Sequence, residues 1–119
     1  MNGTPRGSRV LEIIEGSPCY TPSITFAEIS RWCHSNSRPV LEIMEKIENM
    51  SDGVIMDSRV SEIAAGKLCF ESNKKISGKG REIGLIDCLI ASIAEENSLA
   101  VITKDRHFMH FDKIAVEMI

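Results

Sequence analysis

Three acidic residues stand where a simple apolar core would not place them. Asp87 shares a helical stripe with Ile83, Ile86, Ile90, Ile93 and Ala94, four residues after Ile83 and three before Ile90. An unpaired carboxylate on such a face must be neutralised, paired or bound to a cation. It also falls in the first turn of its predicted helix, where unpaired backbone N–H groups favour an anion. Glu28 lies early in another predicted helix, within Ile24-Thr-Phe-Ala-Glu-Ile-Ser-Arg-Trp32, among apolar neighbours. Asp105 follows the predicted strand Val101-Ile-Thr103 by two residues, and ligands of open α/β sheets bind beyond the carboxyl ends of strands. Three carboxylates gathered at one sheet edge repel one another and so imply hard cations such as Mg2+ or Mn2+. Such cations activate water and stabilise charge on a phosphodiester, the arrangement of two-metal nucleases. Taken singly, each acid has a plainer reading: Glu28 as a surface acid paired with Arg31, Asp105 as a turn or cap residue, and Asp87 as a capping acid.

The elements that must position these acids follow from the patterning. Ser8–Glu15 reads as a short helix stopped by Gly16, then a Ser17-Pro18 turn and a short strand over Cys19–Thr21. Ser23 is a candidate N-cap for a helix to about Ser35. Pro39 suits the first turn of the next helix, with Val40, Ile43, Met44 and Ile47 on one face. Asp52-Gly53 is a turn before the strand Val54–Met56, and Asp57 or Ser58 caps a helix with Val60, Ile63, Ala64 and Leu68 on its inner face. Asn73 to Arg81 reads as a basic loop, followed by a helix from about Ile83 to Asn97 and a strand over Leu99–Thr103. Lys104–Phe111 holds a helical turn, and Ile114–Val116 is the last strand. Short strands separated by helices predict an α/β three-layer sandwich with a mostly parallel sheet.

Composition narrows the classes. The chain has 119 residues, 43% hydrophobic and 26% charged, which fits one domain over residues 1–119. A net charge of −3 argues against indiscriminate high-affinity binding to nucleic acid or acidic membranes, without excluding a nuclease whose acids hold metal ions. No apolar run nears the roughly 18 residues of a membrane span, and Met1-Asn-Gly-Thr-Pro-Arg-Gly7 has no apolar signal-peptide core. Cys19, Cys33, Cys69 and Cys88 form no Cys-x-x-Cys pair, so reduced thiols and a cytoplasmic location are expected. Six aromatic residues are too few for a base-stacking platform. Lys74, Lys75, Lys79 and Arg81 in the basic stretch, with Lys104 and Arg106, could meet RNA phosphates or simply form a solvated face. Gly78-Lys79-Gly80 lacks the length and ending of a Walker motif. His107 and His110, three apart without further ligands, make a weak zinc pattern.

Three segments resemble, in order, the signature blocks of PIN-domain proteins, with the toxin ribonucleases of VapBC toxin–antitoxin pairs as the nearest group. They are Ser23-Ile-Thr-Phe-Ala-Glu28 (S-x-x-x-x-E), Asp87-Cys-Leu-Ile-Ala91 (D-x-x-I-A) and Thr103-Lys-Asp105-Arg-His-Phe108 (T-x-D-x-x-F). The resemblance spans residues 8 to 119. It implies a PIN-like fold and a Mg2+- or Mn2+-dependent endoribonuclease with Glu28, Asp87 and Asp105 as metal ligands and catalytic acids. Thr103 would be a supporting hydroxyl, and Arg31 would orient Glu28 or meet phosphate. The implied partners are an RNA substrate, an antitoxin protein and a second copy of the chain in a homodimer. The family's first strand, which carries its own Asp, has no counterpart here, and residues 1–7 contain no acid. The expectation is therefore a PIN-like sheet without its N-terminal strand. The alternative function is a catalytically impaired module that binds an antitoxin, RNA or another protein.

Overall fold

A computed structural model describes residues 5–76 and 82–119. The chain forms two compact units, residues 1–56 and 57–119. The first runs α1 (Pro5–Gly16), β1 (Tyr20–Pro22), α2 (Ser23–Ser35), α3 (Val40–Met50) and β2 (Gly53–Ile55). β1 pairs parallel with β2, placing Tyr20 opposite Gly53, Thr21 opposite Val54 and Pro22 opposite Ile55. A Cβ at Gly53 would stand 3.3 Å from the exposed Tyr20 ring, close enough that the ring would have to shift. Just before the ladder, Cys19 N–H donates to Asp52 Oδ2 at 2.6 Å and Asp52 N–H donates to the Cys19 carbonyl at 2.6 Å. That reciprocal pair fixes the register by satisfying backbone groups outside the ladder. Burial, aided by Asp52, pushes the Cys19 thiol above its usual range.

The helix starts differ from the expected caps by one residue. Extended Pro22, not Ser23, precedes α2, and Pro39 stands before α3. Proline fixes φ and leaves one fewer N–H to satisfy, so it can stop a strand and open a helix in one step.

The second unit runs α4 (Arg59–Ile76), α5 (Leu85–Glu96), β3 (Val101–Thr103), a 3-10 helix (Arg106–His110) and β4 (Val116–Met118). β3 and β4 are parallel, with Val101 opposite Val116 and Thr103 opposite Met118. The fold is thus α/β with parallel strands, as the alternation of elements implied. Among the described residues the strands form two two-stranded sheets. The final strand begins at Val116 rather than Ile114, whose side chain packs on the core instead. No helix among the described residues is long and apolar enough to cross a membrane.

The core of this unit joins α4 and α5 to Val101, Phe108 and Phe111, and it corrects the sequence-based face of α4. Val60 and Ile63, expected on the inner face of α4, are exposed, whereas Ser61 and Ala65 are buried. In α5 the buried residues are Cys88, Ala91, Ser92, Ile93 and Ala94; of the expected stripe, Ile83 (just before the helix), Ile93 and Ala94 are buried and Ile90 packs against the core. Small side chains win the contact because they let two helix backbones approach closely. Burial and the neighbouring Cys69 thiol push Cys88 up to about 12, so it stays protonated.

Both ends of this helix pair are tied. Ser58 caps α4: its Oγ accepts from Ser61 N–H at 3.0 Å while its own N–H donates to Ser61 Oγ at 2.7 Å. The Ser58 hydroxyl also donates to the Glu96 carboxylate, with oxygens at 2.8 and 3.0 Å. At the other end α4 continues through Asn73 to Ile76, so the basic stretch begins as helix rather than loop. Asn73 Oδ1 accepts from Ile83 N–H at 2.7 Å, and its Nδ2 donates to the Ile83 carbonyl at 2.9 Å. The two ties make α4 and α5 an antiparallel hairpin.

Two helices end on the same device. Ser37 and Ser98 adopt φ 53°, one residue past the C-caps of α2 and α5. Arg38 N–H then reaches the Cys33 carbonyl and Leu99 N–H the Ala94 carbonyl, each at 2.8 Å. Asn36 and Asn97 side chains return to the carbonyls of Trp32 and Ile93, also at 2.8 Å. This is the Schellman arrangement, with Leu99 joining the core.

Replacing Asn73 with Ala removes the partner of the Ile83 N–H and leaves the Ile83 carbonyl with the weaker Cys69 Sγ–H donor at 3.6 Å. It should lower stability by about 2–3 kcal/mol, read as a shifted urea midpoint at constant slope. Ser98→Gly relieves the left-handed strain and should raise stability by up to about 1 kcal/mol in the same measurement.

Candidate metal centre

Asp87 is the third residue of α5, behind an extended Gly84 N-cap that supplies no side-chain bond to the helix start. The first-turn N–H groups therefore set a positive potential around its half-buried carboxylate. Where α5 begins is fixed by the Asn73 amide holding Ile83, four residues before Asp87.

Asp105 is held by different means. β3 ends at Thr103, whose Oγ1 accepts from Asp105 N–H at 3.0 Å. Asp105 in turn caps the 3-10 helix, its Oδ1 accepting from His107 N–H at 2.9 Å. A carboxylate that bonds two residues onward bends the chain, which carries the side chain of the second residue alongside it. His107 Nδ1 accordingly lies 3.5 Å from Asp105 Oδ1. The 3-10 helix is anchored beneath by buried Phe108, packed edge-to-face on Phe111 with ring centroids 5.5 Å apart.

Asp87, Asp105 and His107 each offer one ligand atom, and these atoms all lie within 4.8 Å of one another. A cation with ligands at roughly 2.1–2.2 Å places adjacent donors about 3 Å apart and opposite donors about 4 Å apart, so the spread suits one ion after small side-chain adjustments. Two carboxylates and an imidazole, half-buried at the end of a parallel strand and the start of a helix, have the donor chemistry for a divalent cation.

The other expected residues are placed as follows. Thr103 supports Asp105 through its hydroxyl. Lys104 and Arg106 flank Asp105 and are exposed. Glu28 and Arg31 belong to α2 in the first unit, at exposed positions rather than among apolar neighbours. Lys79 and Arg81 lie outside the described residues. His107 enters the donor group although its helical spacing to His110 had marked it as a weak zinc pattern. The informative spacing is instead the two residues from Asp105, the reach of a capping carboxylate.

A family model described as the PIN domain matches residues 1–114. Among solved structures, a chain of the VapBC complex of Salmonella typhimurium bound to DNA is 19% identical, with a TM-score of 0.71 over 98% of this chain and 86% of that one. A chain of VapBC2 from Rickettsia felis, bound to a DNA fragment from their promoter, is 22% identical, with a TM-score of 0.64 over 93% of this chain and 82% of that one. At such identities the likeness concerns the fold. No curated protein matches the sequence significantly.

Asp105→Ala removes the acceptor of His107 N–H and should cost about 1 kcal/mol, whereas Asp105→Asn keeps an acceptor and should cost a few tenths. Thermal melts in the presence of a chelator separate this capping contribution from any effect of bound cations.

Proposed function

This chain belongs to the PIN domain family, and on that premise we propose that it is a metal-dependent endoribonuclease, the toxin-like member of a toxin–antitoxin pair. PIN domains are generally nucleases. The observation that carries the reading is the meeting of Asp87 and Asp105, from two separate elements, within ligand distance at the carboxyl end of β3.

Asp87 and Asp105 would hold a divalent cation, Mg2+ or Mn2+, and Glu28 joins them on the strength of its sequence motif alone. When bound, such a cation supplies Lewis acidity that activates water and offsets charge on the phosphodiester. Thr103 keeps Asp105 in place through the Asp105 N–H. Lys104 and Arg106 present exposed cations next to that carboxylate, suited to the RNA backbone on either side of the scissile bond. Lys79, Arg81 and Arg31 would extend the same contacts by their charge. Residues 1–119 would act as one PIN domain, paired in a cytoplasmic homodimer and restrained by an antitoxin protein. The antitoxin partner is suggested by the VapBC complexes in which chains of similar fold occur.

Incubating a mixed RNA substrate with the purified chain and either Mn2+ or Mg2+ tests this directly. Cleavage should occur, and Asp87→Asn should reduce it by at least about two orders of magnitude, because a ligand carboxylate is lost. The variant should melt close to the parent, since losing a negative charge at the start of α5 opposes the relief of repulsion between two close acids. A folded parent that cleaves nothing with either cation would instead identify a catalytically impaired binding module.

A further inference from the structure

We propose that His107 is a third protein ligand at the Asp87–Asp105 site, and that its imidazole makes the site prefer Mn2+ and heavier first-row cations over Mg2+. The inference rests on the cation-binding reading above, to which it adds a residue and a selectivity absent from the acidic motif.

The placement of His107 is built rather than incidental. Its backbone N–H is spent on Asp105 Oδ1 at 2.9 Å, which fixes the start of the 3-10 helix. The next residue, Phe108, is 4% exposed, so the turn cannot rotate without pulling a ring from the core. Between these two restraints the imidazole is directed at the carboxylates: its side chain is 24% exposed, Nδ1 is 3.5 Å from Asp105 Oδ1, and a ring nitrogen falls within 4.8 Å of the Asp87 donor. His110, at the far end of the same turn, is exposed and outside the donor group.

Ligand type then decides the cation. Mg2+ demands near-ideal octahedral geometry and is served by carboxylates and retained waters. Imidazole nitrogen gains little with Mg2+, but it binds first-row transition cations, with affinity rising from Mn2+ towards Cu2+. A set of two carboxylates and one imidazole therefore tilts the site away from Mg2+, whereas carboxylates alone would not. A histidine that only oriented Asp105 would influence every cation alike.

Calorimetric titration of the chelator-stripped chain with Mn2+ and with Mg2+ separates the two roles. His107→Gln should weaken Mn2+ binding by roughly tenfold or more while changing Mg2+ binding only slightly, collapsing the ratio between them. Pulsed electron paramagnetic resonance of the Mn2+ complex should show the nitrogen modulation of a coordinated imidazole, retained in His110→Gln and lost in His107→Gln. Should His107→Gln fail to fold, the signal in the parent and in His110→Gln decides. Equal weakening of both cations, or a Mn2+ complex without nitrogen modulation, overturns the assignment and makes His107 a positioning residue. A folded parent that binds neither cation defeats the cation-binding reading itself, a result distinguishable from an unchanged ratio.

Discussion

Ser61 and Ala65 on α4 and Cys88, Ala91 and Ser92 on α5 are almost wholly removed from solvent, and all of them are small. Small side chains bring helix axes together, and close axes leave little slack for one helix to slide on the other. The position of Asp87 along α5 inherits that rigidity, which no loop contact could supply. Cys88, the residue after Asp87, sits at the centre of the contact and is fully buried. A larger side chain there would push the helices apart and carry the carboxylate with it.

The second half of the site depends on a different principle. Asp105 is held through single hydrogen bonds, its N–H donating to Thr103 Oγ1 before it and its Oδ1 accepting from His107 N–H after it. Its precision comes from the strand on one side and the buried Phe108–Phe111 pair on the other. A packed helix and a hydrogen-bonded turn thus deliver two carboxylates to one place by independent routes, each of which can be perturbed without unmaking the other. The hydroxyl of Thr103 keeps the Asp105 N–H occupied, which leaves the carboxylate rather than the backbone to face a ligand.

Much of this was legible beforehand, and the remainder failed for identifiable reasons. Asp87 stood out because a carboxylate on an apolar stripe violates patterning, and Asp105 because it trails a strand by two residues. The extent of α2 is legible to within one residue: Ser23, the expected cap, is its first residue, and it ends at Ser35. The inner face of α4 is not, because Val60 and Ile63 outweigh Ser61 and Ala65 in any hydrophobic tally, while the helix contact selects for size. Asn73 vanished into a run of polar and basic residues, since nothing local announces that an amide will pair with a backbone ten residues on. His107 is hard to see in sequence because its spacing to His110 suggests a helical face, whereas the turn capped by Asp105 is what brings it to the donor group. Glu28 was singled out by its apolar neighbours in sequence, yet its position on α2 is exposed, so its place in the site rests on the motif alone.

The Asn73 amide closes a ring: donor and acceptor on one side chain meet acceptor and donor on one backbone, bridging residues 73 and 83. The bridge therefore ties the chain entering α5 directly to the last turns of α4. A substitution that spares the Asn73 amide leaves the origin of α5, and Asp87 in its first turn, in place. A lineage could vary the exposed face of α4 while this one amide stays fixed, so that drift of the surface and the placement of the acid are inherited separately.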